Sequence, residues 1–498
     1  MSTTELNITF DLIEQARLNP QRIALVIRDQ SITYWQLDVL TWQSAGFLHE
    51  KGIRPGDIVA LIFTDSVKLA LALLGLARLG ATALTIPVSS TAFQRKEWSQ
   101  TAGAQTLLSD HPTQFDSAMR PILFKGSSLA EQRFAKPEWM DEVPRSPWMI
   151  VLGSGSTGTR KLIPIKHAQL RDRIGAHSSI LLDENDKILF LTTLEYPTSS
   201  IRLFDVIRHG GTYFFPVPTH AIPDYCESNQ ITILVATVFH IEDLLAKMPD
   251  SATLRLGSLR ALRVAGSTVT HQLRSRIRKR LTEHLIVGYG ANECGSMTRC
   301  APPEVFDDTG SVGRPATDVS LEIVDPLDHP LPHGVVGRIR VKTPGMFEGY
   351  LNDPESTGRS LIDGWFYPGD LGKMTPDGQL IHCGRGDQMM IFNGINIYPA
   401  EIEQCVTGHP AVTDATAFPL KSPVHQDIPV CAISLLHGSA ITENELLAYL
   451  NERLGFRSPK RLIALKKIPR NEQGKVIRHE LMAQVNRFFS QGRARPLS

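Results

Sequence analysis

A chain of 498 residues, with 42% apolar and 21% charged side chains, is too long for one ordinary core and predicts a globular protein of two or more domains. Its formal net charge of +1 excludes bulk nucleic-acid binding, which needs a strong basic surplus. The six cysteines, at positions 226, 294, 300, 383, 405 and 431, include no C-x-x-C pair, so neither a zinc site nor a redox pair is indicated. The opening residues Met-Ser-Thr-Thr-Glu-Leu-Asn carry no basic and apolar leader pattern, and a reducing cytoplasm is the expected compartment.

Along the chain, Leu69 to Leu79 has a helical period and Ala83 to Pro87 reads as a strand. Arg78 and Gly80 interrupt this longest apolar stretch, which predicts a buried helix running into a strand, and no membrane association. The apolar run Met149 to Leu152 then enters Gly153-Ser154-Gly155-Ser156-Thr157-Gly158-Thr159-Arg160-Lys161. Glycines let the backbone approach an anion closely, and amides, hydroxyls and an ammonium can all donate to it, so this loop is a candidate phosphate cradle. It formally fits G-x-G-x-x-G, but the dinucleotide fingerprint must open a helix, and Leu162-Ile163-Pro164-Ile165-Lys166 reads as a strand. A Walker loop fails on spacing, and the H-R-D and D-F-G motifs of a kinase are missing.

From residue 10 to about 290, helical segments alternate with short apolar runs. Among them are Ile188 to Leu191, a helix over Ser200 to Arg208, and Thr212 to Phe215. This βαβ rhythm predicts an α/β fold with parallel sheets. From about 310 short strands with Gly, Pro and Asp turns follow, Ser320 to Val324, Gly337 to Lys342 and Gly378 to Cys383, and predict a small β-rich subdomain. A second, α+β domain is expected after Arg385, with a helix opening at Pro399 and a capping box at Thr442 and Glu445. The expected division is 1–385 and 386–498.

Five segments in order resemble the motifs of the adenylate-forming superfamily. They are the loop ending at Lys161, with Arg160 where that family has proline; Tyr289-Gly290-Ala291-Asn292-Glu293; Tyr367-Pro368-Gly369-Asp370; Gly384-Arg385-Gly386-Asp387 with Pro399-Ala400-Glu401-Ile402-Glu403; and Pro469 to Lys475. The resemblance implies a large N-terminal domain, a small mobile C-terminal one, ATP and Mg²⁺. Ser154, Gly155, Ser156, Thr157, Gly158 and Lys161 would hold phosphates, with Thr157 counted among the catalytic residues. Glu293 would help hold Mg²⁺, a hard cation that prefers oxygen ligands. Tyr289, Gly290 and Asn292 would flank the nucleotide, Asp370 would accept from the ribose hydroxyls, and Arg385 would contact ribose or phosphate. Lys475 would reach the α-phosphate from the C-terminal domain, and Asp387 would be the hinge about which that domain turns.

Leu194-Glu195-Tyr196-Pro197-Thr198-Ser199-Ser200 is similar to a stretch of aryl-acid–AMP ligases, with Glu195 where those carry Asn. The acid pocket is expected from Glu195, Tyr196, His240, Gly266, Ser267 and Gly288. An ionised Glu195 there needs a donor, so an amino acid or an amino- or hydroxy-substituted aryl acid is favoured over a plain fatty acid. The resemblance implies activation of a small carboxylic acid as acyl-AMP, then transfer to CoA or to a phosphopantetheinylated carrier protein. A luciferase-like oxidoreductase and a non-catalytic nucleotide-binding protein are the alternatives.

Overall fold

The structure, a computed structural model, describes residues 7–28, 30–112, 119–125, 145–153, 160–174, 180–248, 256–307, 309–393, 395–422, 424–436, 438–471 and 474–490, without the side chains of 489 and 490. Two largely parallel sheets form its body. One has seven strands in the order Leu285–Val287, Ala261–Ala265, Ile233–Thr237, Lys187–Phe190, Thr212–Phe214, Ile23–Ile27 and Gln30–Thr33, antiparallel only at the last pair. The other runs Arg120–Leu123, Thr106–Ser109, Ile58–Ile62, Thr82–Thr85, Pro147–Leu152 and Leu162–Lys166, again with an antiparallel last pair. Pro164 cannot donate a ladder hydrogen bond, and its strand lies at the sheet edge where that costs least.

One buried apolar cluster joins the two sheets, drawing Leu25, Phe190 and Tyr213 from the first and Val59, Leu61 and Met149 from the second. The helix Ser66–Leu79 is buried almost throughout. It starts on the Asp65 carboxylate, which accepts from the Val67 and Lys68 amides, and ends at Gly80 with φ +78°. The α/β class agrees with expectation, and this helix ends at Leu79 as expected but starts three residues before Leu69. The helix expected at Ser200 begins earlier, at Pro197, and ends at His209, because proline suits the first helical position.

A third, antiparallel sheet contains Ser320–Val324, Gly337–Lys342, Asp370–Met374 and Leu380–Arg385. The last strand starts two residues later than Gly378, which is taken up by a turn with φ +82°. After one turn at Gly386–Gln388 the chain enters a separate five-stranded sheet built on the long hairpin Val412–Ser422 and Gln426–Leu435. The helices Pro399–Thr407 and Glu443–Leu454 pack on its own apolar cluster, and the second carries the expected Thr442–Glu445 capping box. No helix among the described residues is long and apolar enough to cross a membrane.

Candidate active site

Strand Leu285–Val287 leads into the turn that carries Tyr289 to Glu293. The backbone there approaches its neighbours too closely for a side chain. A Cβ on Gly288 would lie 2.5 Å from the Thr298 carbonyl oxygen, and one on Gly290 would lie 2.5 Å from that of Gly295. Arg173, buried at the end of helix His167–Arg173, fixes the far side of the turn. Its guanidinium donates to the carbonyls of Gly345 at 2.7 Å, Asn292 at 2.8 Å and Glu293 at 2.8 Å. Burial brings its pKa down to about 10. The Glu293 carboxylate accepts from the Tyr350 hydroxyl at 2.9 Å, and the Lys161 ammonium lies 4.4 Å from the Tyr350 ring centre.

Asp370, at the start of a third-sheet strand, accepts from the Tyr289 hydroxyl. His382 Nε2 lies 3.7 Å away, long for a hydrogen bond, and Arg385 lies at 3.5 Å. Burial pushes the Asp370 carboxyl upward, but the His382 imidazole, the Tyr289 hydroxyl and the Arg385 charge outweigh it and hold the carboxyl below its ordinary value. Arg385 also donates to the Pro368 carbonyl at 2.5 Å and pairs with Asp387 at 3.3 Å. One guanidinium therefore touches both the buried carboxylate and the crossing between sheets.

Lys475 sits on a tight turn of the C-terminal sheet region. The Asn471 amide donates to the Lys475 carbonyl, and the Lys475 amide donates back to Asn471 Oδ1 at 2.9 Å. Arg470 clamps this turn. It donates to the Gly474 carbonyl at 2.8 Å and pairs with Asp414 at 2.7 Å. Gly474, with φ +78°, is pressed against Ser267, so that a Cβ would lie 2.7 Å from the serine oxygen. The Lys475 side chain is exposed to solvent and lines an open cleft. Desolvation by the protein around the cleft lowers its pKa, and the charges of Glu293 and Asp370 partly restore it.

That cleft, about 1400 Å³, runs between the body and the C-terminal sheet. Glu195, Tyr196, Gly266 and Ser267 line it, together with Arg160, Asn292, Arg385 and Lys475. Glu195 Oε2 accepts from the Val88 amide at 3.4 Å. His240 and Gly288 are not on this wall. His240 instead completes a capping box with Thr237, its Nδ1 2.8 Å from the threonine hydroxyl. That ring thus serves the start of helix Val238–Lys247. Ser154, Gly155, Ser156, Thr157 and Gly158 lie outside the described residues. Sequence motifs do not mark Arg173, Tyr350 and His382, which hold the turn, Glu293 and Asp370. No spacing pattern could have found them, since each acts on a residue distant in sequence.

A parallel α/β body, followed by a smaller sheet region that brings a lysine to the cleft beside Asn292 and Arg385, is the architecture of adenylate-forming enzymes. The chain belongs to the AMP-binding enzyme family: the family's main domain matches residues 12–351 and its C-terminal domain residues 401–475. The chain is 27% identical to the 2-succinylbenzoate–CoA ligase of Bacillus licheniformis, over 94% of this chain and 98% of that one. It is 24% identical to tyrocidine synthase 3 of Brevibacillus parabrevis, over 94% of this chain but 7% of that much longer protein. The ATP-bound structure of MatB from Rhodopseudomonas palustris superposes with a TM-score of 0.87 at 23% identity, covering 96% of this chain and 98% of that one. At that identity the likeness shows the fold alone.

Proposed function

We propose that the chain is an ATP-dependent acid–thiol ligase with two half-reactions. In the first, a carboxylate oxygen of a small acid attacks the α-phosphorus of ATP, the bond to the β-phosphate oxygen breaks, and pyrophosphate leaves with the electron pair. In the second, a pantetheine thiol attacks the acyl carbonyl, the thiol proton is lost, and AMP leaves. The observation that carries this reading is Lys475, held by Arg470 and Gly474 in the cleft where Glu293 and Asp370 act on its charge.

Lys475 would stabilise charge as the α-phosphate is attacked, and a preorganised cation costs no reorganisation at that moment. Asp370 would accept from the ribose, beside Tyr289, and Arg385 would contact ribose or phosphate oxygens. Lys161, with Ser154, Gly155, Ser156, Thr157 and Gly158, would hold the outer phosphates. The residues present fit Mg²⁺: Glu293 supplies one carboxylate, and this ion is commonly held by one or two carboxylates plus substrate phosphates. Bound there, the ion would neutralise developing phosphate charge. The reading divides the chain at the crossing between sheets: residues 1–385 would bind ATP and acid, and residues 386–498 would turn about Asp387.

Glu195 lines the cleft. A substrate amine, ring N–H or hydroxyl is a fitting donor to this carboxylate, which favours an amino acid or a substituted aryl acid. The acceptor is CoA or a carrier-protein arm. The names of the relatives are compatible with either, since one is a CoA ligase and another a far longer synthase. Exchange of labelled pyrophosphate into ATP, across a panel of aryl, amino and short fatty acids, tests the reading. Acid-dependent exchange is expected, and its absence with every acid would refute it. Glu195→Gln should raise KM for the best acid by roughly ten- to a hundredfold, the size of a lost charge-assisted hydrogen bond, with KM for ATP nearly unchanged.

A further inference from the structure

Arg160 stands where the resembling family has proline, so the shared nucleotide chemistry does not ask for its charge. Its guanidinium lies over the Trp98 ring, 5.0 Å from the centre. Trp98 is buried in helix Ala92–Ala102 and so offers a rigid platform. Stacking of this kind orients a guanidinium while leaving its charge and most of its donors for another partner.

Arg160 and Lys161 are neighbours in the chain, but their side chains diverge. Lys161 turns to Tyr350, whose hydroxyl donates to Glu293. Arg160 lines the cleft with Glu195, Tyr196, Gly266 and Ser267. Lys161 thus turns to the Tyr350–Glu293 pair, while Arg160 faces the cleft itself, whose wall carries Glu195 and Tyr196 as well as Asn292, Arg385 and Lys475. Arg160 and Lys475 both line this cleft, so a ligand bound in it meets two cations.

We infer that Arg160 selects an acid bearing a second anionic group in addition to the carboxylate that is activated. The inference rests on the ligase reading and narrows its substrate. A planar guanidinium binds carboxylate, sulfonate or phosphate oxygens through two parallel N–H donors. A plain hydrocarbon chain packed against it would strip its water and return no hydrogen bond. Glu195 and Arg160 together make this a cleft for a polar acid, with one wall accepting a donor and another holding an anion.

Matched acids test this in pyrophosphate exchange with the full chain, ATP and Mg²⁺: butyrate against succinate, norvaline against glutamate, benzoate against isophthalate. The wild type should favour the charged member of at least one pair by about tenfold or more in kcat/KM. Arg160→Gln should reduce that preference to within about threefold and leave KM for ATP and pyrophosphate unchanged, whereas Arg160→Lys should keep part of it. Preference for the uncharged member in every pair would overturn the inference and leave the ligase reading standing. So would an Arg160→Gln enzyme with weaker ATP or pyrophosphate binding and the same acid ranking, since Arg160 would then serve the polyphosphate. Failure of every acid to support exchange would overturn the ligase reading itself. The wild-type ranking and Arg160→Lys decide the matter even if Arg160→Gln folds poorly.

Discussion

Asp370 shows how neighbours set the state of a single carboxylate. Burial alone would raise its pKa, yet His382, Tyr289 and Arg385 hold it low, so it stays ionised well into the acid range. A depressed folded value means that the ionised form, and the stability it contributes, persists above the unfolded pKa of about 3.9 and is lost only as pH falls through the lower folded value. His382→Gln removes the first of these lowering contacts and leaves the burial. The acid limb of kcat/KM for ATP should then move to higher pH with the neutral plateau nearly unchanged; a limb that stays in place would show that His382 does not hold Asp370. Asp370 was legible because it lies in a short motif with Tyr367 and Gly369. His382 was not, because it reaches Asp370 across a strand pair and no local pattern announces a cross-strand contact.

At the scale of elements, the turn 289–293 depends on a helix more than a hundred residues earlier. The buried Arg173 guanidinium donates to three carbonyls of half-buried residues. Arg173→Met keeps the bulk of the side chain but takes this donor from the Gly345 and Asn292 oxygens, each worth about 1–3 kcal/mol when buried, while Glu293 keeps the bond from the Phe347 amide. Allowing for relaxation, the total loss should be about 3 kcal/mol, read as a lower urea midpoint at unchanged slope. An unchanged midpoint would contradict this role for Arg173. The strands Ser320–Val324 and Gly337–Lys342 were legible to the residue, since Gly, Pro and Asp turns bracket them. Helix Pro197–His209 starts three residues before its expected position, because Pro197 belongs to a pocket-like motif and is also a helix-opening proline. His240 reads two ways for a similar reason: a polar ring after an apolar run suits a pocket or a cap, and the Thr237 contact supplies the cap.

For the whole molecule, the question is how a sheet that follows the body in sequence comes to place a lysine within it. The chain crosses at Gly386–Gln388, where Arg385 links Asp387 to Asp370, and Gly474 docks on Ser267. The order of the motifs was legible in the sequence. Their convergence was not, because residues 267, 293, 370 and 475 are brought together only by sheet topology. If the C-terminal sheet must turn about this crossing before the thiol attacks, Asp387→Pro should hinder that step, since proline fixes φ near −65°. Pyrophosphate exchange should persist while thioester formation slows by about a hundredfold or more. Equal loss of both steps would place the pivot elsewhere. The most direct test of the account is Lys475→Ala, assayed separately in the two half-reactions. Acid-dependent pyrophosphate exchange should fall by about a hundredfold or more, as expected on loss of a preorganised transition-state cation. Thioester formation from supplied acyl-adenylate should remain near the wild-type rate. Loss of both half-reactions to the same extent, or of neither, would contradict the assignment of Lys475 to adenylation alone.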